Sequence, residues 1–167
     1  MASRIVLRPP TAADSRDFIA AVQASRALHG SWVAAPATAD AFRTWHKRMA
    51  QPTHSALLAC RSGSGEMVGV FNITNMVMGP FRSAFLGYYA FAGHEGQGLM
   101  TEGMRAVVKH AFKSLKLHRL EANIQPGNLA SIALVRRCGF AQEGYSPRYL
   151  KIAGRWRDHE RWAKLNQ

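Results

Sequence analysis

The chain has 167 residues, 47% of them hydrophobic, and its 22 Lys and Arg residues outweigh 10 Asp and Glu residues, giving a formal charge of +12. This size predicts one domain over residues 1–167, with enough apolar material for a packed core. No window approaches the roughly 18–20 apolar residues of a membrane span, and two cysteines cannot form a disulfide framework. We therefore expect a cytoplasmic protein with no membrane partner, either an enzyme or a nucleic-acid-binding protein.

The positive charge is spread along the chain. Residues 1–60, 61–117 and 118–167 carry an excess of +4, +3 and +5, and no run of five like charges occurs. A disordered basic arm is therefore excluded, while an even positive field favours anionic ligands in general.

The first half predicts alternating helices and strands. A strand at 4–8 ends at two prolines, and a helix follows from Thr11 or Asp14 to about Arg26. A loop from Trp32 leads into a helix that ends near Met49. Three strands are predicted next, with a glycine-serine hairpin turn between the first two, at 54–61, 67–75 and 81–91.

The second half is more regular. A glycine loop at 93–98 opens a helix over 99–117 with a continuous apolar stripe, and a strand at 118–124 follows. Asn128 is a good N-cap for a helix that Gly139 ends. The remaining strands, at 140–152 and 155–165, complete an α/β chain. Because most strands form hairpins, the sheet is predicted to be mixed and mostly antiparallel, flanked by helices.

The glycine loop is the most informative segment. Gly96 and Gly98 precede a long helix, so a phosphate can approach the helix N-terminal N–H groups without meeting a Cβ, and Thr101 adds a hydroxyl. The glycines are equally compatible with a simple turn. The loop lacks the lysine of a Walker A motif and the spacing of a dinucleotide fingerprint, which favours a different phosphorylated ligand.

Several motifs in order resemble the GNAT N-acetyltransferases, and within them the Rim-type (RimJ and RimL) ribosomal-protein alanine N-acetyltransferases. The likeness covers nearly the whole chain. It rests on Leu7-Arg8-Pro9, Gly98-Leu99-Met100-Thr101-Glu102, Leu117-His118-Arg119-Leu120, Pro126-Gly127-Asn128, Gly139-Phe140 and Trp156-Arg157-Asp158-His159.

The resemblance implies acetyl-CoA as cofactor. No metal is expected, because the seven histidines have no metal-like spacing. The pyrophosphate would lie on the loop and helix N-terminus, the pantetheine would pair with the strand before it, and Asn128 would bond the pantetheine. The cofactor-binding residues so predicted are Tyr88, Tyr89, Ala90, Phe91, Gly96, Gln97, Gly98, Leu99, Met100, Thr101, Asn128 and Ser131.

The chain departs from the superfamily pattern at three positions. Glu95 stands where Arg or Gln is usual and puts an acid near the phosphates, and Met100 replaces Gly or Ala in a way compatible with the RimJ branch. Val135 occupies the place of a tyrosine that many relatives use as a general acid. Ser131 is the substitute candidate for that role, beside an ordinary role in bonding a backbone carbonyl.

The resemblance implies direct acetyl transfer to an amine. Glu121 and Glu143 are the candidate bases, although strand alternation makes either as able to face solvent as the cleft. Trp32 and Tyr145 are the candidates for acceptor binding, with core packing as the alternative for each.

The predicted function is acetyl-CoA-dependent acetylation of an amine, with the N-terminal α-amine of a protein or peptide preferred and ribosome association compatible with the charge. A small-molecule amine is the alternative acceptor. The alternative from another class is a module that binds CoA or nucleic acid without turnover. The sequence leaves the choice between a monomer and a homodimer open.

Overall fold

The computed structural model describes residues 2–167. Within that range seven strands form one sheet in the order β1-β2-β3-β4-β5-β7-β6. The strands are β1 (Ile5–Arg8), β2 (Ser55–Arg61), β3 (Met67–Val77), β4 (Ser83–Ala90), β5 (Arg119–Ile124), β6 (Ala141–Ile152) and β7 (Arg155–Leu165). The helices are α1 (Ser15–Ala24), α2 (Arg26–His29), α3 (Ala39–Met49), α4 (Leu99–Lys113) and α5 (Leu129–Arg137), with a 3₁₀ turn at Ala12–Asp14.

All neighbouring strands run antiparallel except β4 and β5. These two are parallel, and they pair only from Ser83–Arg119 to Phe85–Glu121. Beyond that point β4 continues along β3 while β5 continues along β7, so the sheet opens between them. The predicted mixed, mostly antiparallel sheet flanked by helices is confirmed.

Each face of the sheet has its own core, as the alternation of side chains along the strands requires. On one face α4 and α5 pack on Phe71 and Leu120, both fully buried. On the other face α1 and α3 bring together Phe18, Phe42 and Trp45, with the Phe18 and Trp45 rings 4.9 Å apart. The two helical layers leave the split in the sheet accessible from both sides.

Three predicted boundaries differ from the structure for local reasons. The first helix breaks at Ser25, whose hydroxyl donates to the Ala21 carbonyl and accepts the Ala92 N–H. The helix α4 ends at Lys113 because Lys116 takes a left-handed φ of 59° and the Leu117 N–H turns back to the Ala111 carbonyl. The strand β4 begins at Ser83 because Arg82, with a φ of 45°, bends the chain before it.

Candidate functional site

A cleft of about 740 Å³ opens where β4 and β5 separate. It runs between the N-terminal ends of α4 and α5 and reaches the loop after α2. Most of the predicted cofactor residues line this cleft, namely Tyr88, Tyr89, Ala90, Gly96, Gly98, Leu99, Met100, Thr101, Asn128 and Ser131. The structure thus brings three distant segments of the sequence together at one place.

The edge of β4 supplies backbone groups to this cleft. The Phe91 N–H donates to the Val68 carbonyl, and in an antiparallel pair such bonds recur at every second residue. Tyr89 therefore bonds β3, whereas Tyr88 and Ala90 direct their backbone groups towards the split. An extended ligand can pair with this edge as an added strand.

His29 holds one of these backbone groups, and no sequence motif identifies it. Its Nε2 lies 2.7 Å from the Ala90 carbonyl oxygen, which can only accept, so the ring donates. Its ring also packs edge-on against Tyr89, and only 8% of the residue is exposed. His29 therefore fixes the end of β4 at the floor of the cleft.

The N-terminus of α4 provides unpaired N–H groups at the cleft. The first bond of the helix runs from the Glu102 N–H to the Gly98 carbonyl, so the N–H groups of residues 99–101 have no partner in a preceding turn. Gly98 is the N-cap and has no side chain to satisfy them. Gly96 and Gly98 have φ values of 70° and 74°, which other residues rarely adopt. This loop fits a bound pyrophosphate.

Glu95 lines the cleft, but its carboxylate bonds the backbone of its own loop. Its Oε2 accepts the Gly93 N–H at 2.7 Å, so the carboxylate folds back on its own loop. Hydrogen bonds from backbone N–H groups lower the pKa of Glu95 below its usual value. The departure from the superfamily pattern thus has a structural role, because the acid braces the loop that carries the glycines.

Basic side chains surround the loop. Arg4, Arg105 and Arg137 line the cleft, and Nε of Arg4 donates to Glu102 Oε1 at 2.6 Å. Nη1 of Arg137 donates to the Thr101 hydroxyl oxygen at 3.2 Å. With Glu102 paired to Arg4, the cationic Arg105 and Arg137 outnumber Glu95 among the remaining charged side chains of the lining. The mouth of the cleft therefore carries a net positive charge, which favours a phosphorylated ligand.

The first turn of α5 forms the opposite wall. Asn128 caps the helix, since its Oδ1 accepts the Ser131 N–H at 3.3 Å, and its amide NH₂ is left for a ligand. The hydroxyl oxygens of Ser131 and Tyr88 are 2.6 Å apart. Burial raises the pKa of Tyr88, so this phenol stays protonated and can donate to Ser131.

Two predicted cofactor residues do not line the cleft. Phe91 is 2% exposed and packs in the core beneath α1 and α3. Gln97 turns outward, where its Oε1 accepts a 2.7 Å hydrogen bond from Arg61 and its backbone carbonyl accepts one from Arg4. Phe91 therefore belongs to the core, and Gln97 holds the loop from its outer side.

The structure does not place Glu121 and Glu143 as bases. Arg119 donates to Glu121 at 2.7 Å and to Glu143 at 3.0 Å, and neither carboxylate lines the cleft. The Arg119 guanidinium holds the pKa of Glu143 below its usual value, which makes it a weaker base. The Arg119–Glu143 ion pair instead links β5 to β6, while the Arg119–Glu121 pair lies within β5.

Of the two predicted acceptor residues, only Trp32 lies in the cleft. Its ring packs against Gly127, where an added Cβ would approach it to 3.0 Å, so Trp32 joins the loop after α2 to the start of α5. Tyr145 is 51% exposed on β6, and its hydroxyl donates to Asp158 at 2.5 Å. Tyr145 is therefore neither in the cleft nor in the core.

A second cavity, of about 470 Å³, lies on the α3 side of β4. Tyr88, Tyr89 and Val33 line both cavities, so the two meet at β4. The further polar side chains of the second cavity are Thr44, Trp45, Arg48 and Asn72. No sequence pattern predicts this cavity, because its residues come from a helix, a loop and two strands with no shared motif.

Other sequence hypotheses concern residues outside both cavities. Val135 is fully buried in the core beneath α5. Cys60 and Cys138 are both free and buried, and burial raises the pKa of each thiol, so neither is an activated nucleophile. Over residues 2–167 no three His, Cys, Asp or Glu side chains are grouped to hold a metal ion. Across that range no helix combines the length and apolarity of a transmembrane span.

Comparison with known proteins identifies the family. Residues 4–141 match the acetyltransferase (GNAT) domain family. This chain is a GNAT-family member. It is 41% identical over 100 residues to a probable N-acetyltransferase, YjcK, of Bacillus subtilis, covering 60% of this chain and 55% of that protein. It is 42% identical over 94 residues to the ribosomal protein uS5-alanine N-acetyltransferase of Escherichia coli, covering 56% of this chain and 48% of that protein.

A solved structure is similar to this chain over nearly its whole length. RimJ of Mycobacterium smegmatis, in complex with CoA-disulfide, superposes with a TM-score of 0.88 at 26% identity, covering 96% of this chain and 81% of that one. The predicted resemblance to the GNAT superfamily and its Rim-type branch is confirmed. The GNAT chain nevertheless spans only about half the length of the curated relatives it matches.

Proposed function

We propose that this GNAT domain, formed by residues 1–167, transfers the acetyl group of acetyl-CoA to an α-amine, that of a protein or peptide N-terminus. One observation carries the proposal, namely that the uncapped N-terminus of α4 meets the open edge of β4 in a single cleft. A pyrophosphate and an extended arm are the two parts of CoA that such a junction can hold together.

The cleft residues fit CoA in a definite arrangement. The N–H groups of residues 99–101, with Gly96 and Gly98, suit the pyrophosphate, and Arg105 and Arg137 supply positive charge beside them. The backbone groups of Tyr88, the N–H of Ala90 and the amide of Asn128 suit the pantetheine arm, while the Ala90 carbonyl is held by His29. When bound, acetyl-CoA supplies an acetyl thioester whose carbonyl carbon accepts the amine nitrogen as the thiolate departs.

Ser131 is the proposed proton donor to the departing thiolate. Its hydroxyl lies in the cleft and its oxygen is 2.6 Å from the Tyr88 hydroxyl. When Tyr88 donates to Ser131 Oγ, the serine O–H is left to point into the cleft, where it can pass its proton to the thiolate. The proton that the acylated amine releases returns to Ser131 Oγ through solvent, so the serine ends the reaction as a hydroxyl.

Replacing Ser131 by alanine is expected to lower kcat about tenfold, because a thiolate is a good leaving group and needs only modest assistance. Acetyl-CoA affinity should change little, since in the variant the Tyr88 hydroxyl can donate instead to the residue 131 carbonyl, which lies 3.3 Å away. The two quantities are measured by steady-state thiol release and by calorimetry. The control is Ser114→Ala, at an exposed serine after α4. An unchanged kcat for Ser131→Ala would remove Ser131 from the mechanism.

The acceptor side favours an α-amine over a polyamine or aminoglycoside. Of the described residues that line the second cavity, none is Asp or Glu, and Arg48 is a cation. A polycationic acceptor would meet repulsion there without compensation. An α-amine, with a pKa of about 7.7–8.0, is already partly neutral at pH 7 and needs no strong base, unlike a lysine amine with a pKa near 10.4.

The amine's own ionisation then sets the pH dependence. For a peptide with a free N-terminus, kcat/KM is expected to rise about tenfold per pH unit below about 7.7 and to level off above about 8. A peptide of the same sequence with a blocked N-terminus and one lysine should react a few hundredfold more slowly at pH 7. The reason is that a much smaller fraction of the lysine amine than of an α-amine is neutral at this pH. The measurement is thiol release from pH 6 to 9.5. No acetyl-CoA binding by calorimetry, or a preference for the lysine peptide, would contradict the proposal.

The proposed setting is the cytoplasm, where free, buried cysteines such as Cys60 and Cys138 stay reduced. The E. coli relative is named for a ribosomal protein as its acceptor. Together with the formal charge of +12, which favours contact with an anionic ribosomal surface, this supports a ribosomal or ribosome-bound N-terminus as the acceptor.

A further inference from the structure

The second cavity contains a buried hydroxyl with nothing to bond. Tyr89 is 8% exposed, and its hydroxyl has no hydrogen-bond partner among residues 2–167. Burial raises the pKa of Tyr89, so the phenol is protonated and presents a donor. A buried donor without an acceptor costs stability, and a ligand that supplies an acceptor removes that cost.

Asn72 offers the cavity a second donor. The indole Nε1 of Trp45, which can only donate, lies 3.3 Å from Asn72 Oδ1. This bond fixes the orientation of the amide and occupies its oxygen. The NH₂ group of Asn72 is the part left for a ligand in the cavity.

Arg48 supplies the charge. It lies in the last turn of α3, lines the cavity, and is in none of the ion pairs formed within residues 2–167. It is close enough to Tyr89 for its charge to act on the phenol and oppose the effect of burial on the pKa. The adjacent Lys47 shares the favourable position at the helix C-terminus but does not line the cavity.

These groups match a single kind of ligand. A phenol, an amide NH₂ and a guanidinium are all donors, and the cavity lining presents no carboxylate against them. A carboxylate accepts several hydrogen bonds and satisfies the Arg48 charge at the same time. Because Tyr89 lines both cavities, such a carboxylate would lie beside the place where the amine must react.

We infer that the second cavity is an acceptor pocket that selects amines carrying a nearby carboxylate, with Arg48, Tyr89 and Asn72 as the specificity-determining residues. This inference rests on the proposed acetyl transfer. The carboxylate has two chemical sources, the α-carboxylate of a free amino acid and an acidic side chain in the first two residues of a peptide.

Matched acceptor pairs test the inference. One arm compares peptides with Glu or Gln at the second position, and the other compares free amino acids with their amides. Rates are divided by the fraction of neutral amine at the assay pH. We expect kcat/KM to be at least about tenfold higher for the carboxylate member in one arm, and that arm identifies the source.

Variants of the pocket should reduce this selectivity. In Arg48→Gln the ratio of carboxylate to amide kcat/KM is expected to fall about tenfold, and in Tyr89→Phe about fivefold, since one donor is lost in each. The matched control is Lys47→Gln, which removes the same charge from the neighbouring exposed position and should keep the ratio of the original protein.

The outcomes separate the two proposals. Turnover without a carboxylate preference in either arm, or a preference that Arg48→Gln and Lys47→Gln reduce equally, overturns the acceptor pocket and leaves acetyl transfer intact. No acetyl-CoA binding, or no turnover with any amine, overturns the proposed function itself. A preference lost only in the Arg48 and Tyr89 variants supports the pocket.

Discussion

Replacing Gly98 by valine is expected to weaken acetyl-CoA binding about 100-fold. Gly98 is the N-cap of α4 with a φ of 74°, a conformation that a β-branched residue adopts only with strain. Relief of that strain rotates the peptide that begins α4 and redirects the N–H groups of residues 99–101. Loss of two or more phosphate hydrogen bonds of about 1.5–3 kcal/mol each accounts for the size of the effect. Calorimetric titration with acetyl-CoA measures it.

Gly65→Val is the matched control. Gly65 has a φ of 75° in the turn between β2 and β3 and no atom within 4 Å of the Cβ it would gain. Both variants should therefore lose about 1–3 kcal/mol of stability from backbone strain, while only Gly98→Val loses cofactor affinity. Equal acetyl-CoA affinity in the two variants would show that the N-terminus of α4 does not bind the cofactor.

The substitution Phe71→Ala is expected to lower the free energy of unfolding by about 3–5 kcal/mol. Phe71 is fully buried on β3, and its ring packs closely on Gly103 of α4, where an added Cβ would lie 2.9 Å from it. Truncation leaves a cavity between the sheet and α4 that neither can close. The melting temperature should fall by roughly 6–20 °C, as a chain of this size loses about 2–4 °C per kcal/mol.

Phe81 is the control for that measurement. Phe81 precedes β4 and is 56% exposed, so Phe81→Ala should change stability by no more than about 0.5 kcal/mol. Urea unfolding followed by circular dichroism measures both variants. A similar loss for the two would mean that the packing of α4 on Phe71 does not dominate the core.

The glycine loop shows how far local sequence can predict a site. Gly96 and Gly98 before a long amphipathic helix predicted either a simple turn or a phosphate-binding N-terminus, because backbone conformation and helix polarity depend on nearby residues. The structure gives both glycines left-handed φ values at that place. The residues near the loop in sequence do not determine which other side chains face it. Arg105 and Arg137 reach the cleft only because α4 and α5 pack beside each other.

Glu121 and Glu143 show the opposite case. Alternation along a strand assigns a side chain to one of two faces but does not say which face the cleft uses. That choice depended on where β4 and β5 separate and on Arg119, which lies two residues from Glu121 in sequence and reaches Glu143 on β6. Glu121 and Glu143 therefore bond Arg119 outside the cleft, although they lie on strands that were predicted to within one residue at each end.

Hydrophobic periodicity and turn residues were sufficient, without coordinates, to predict the fold class, because both act over a few residues. The charge of +12 favoured anionic ligands in general, and the resemblance of the ordered motifs to the GNAT superfamily implied the family and acetyl-CoA. The second cavity could be found only in the tertiary structure, because Arg48 of α3, Asn72 of β3 and Tyr89 of β4 come together there from distant parts of the sequence. Contacts between residues far apart in sequence arise from the packing of whole elements, and no short pattern encodes them.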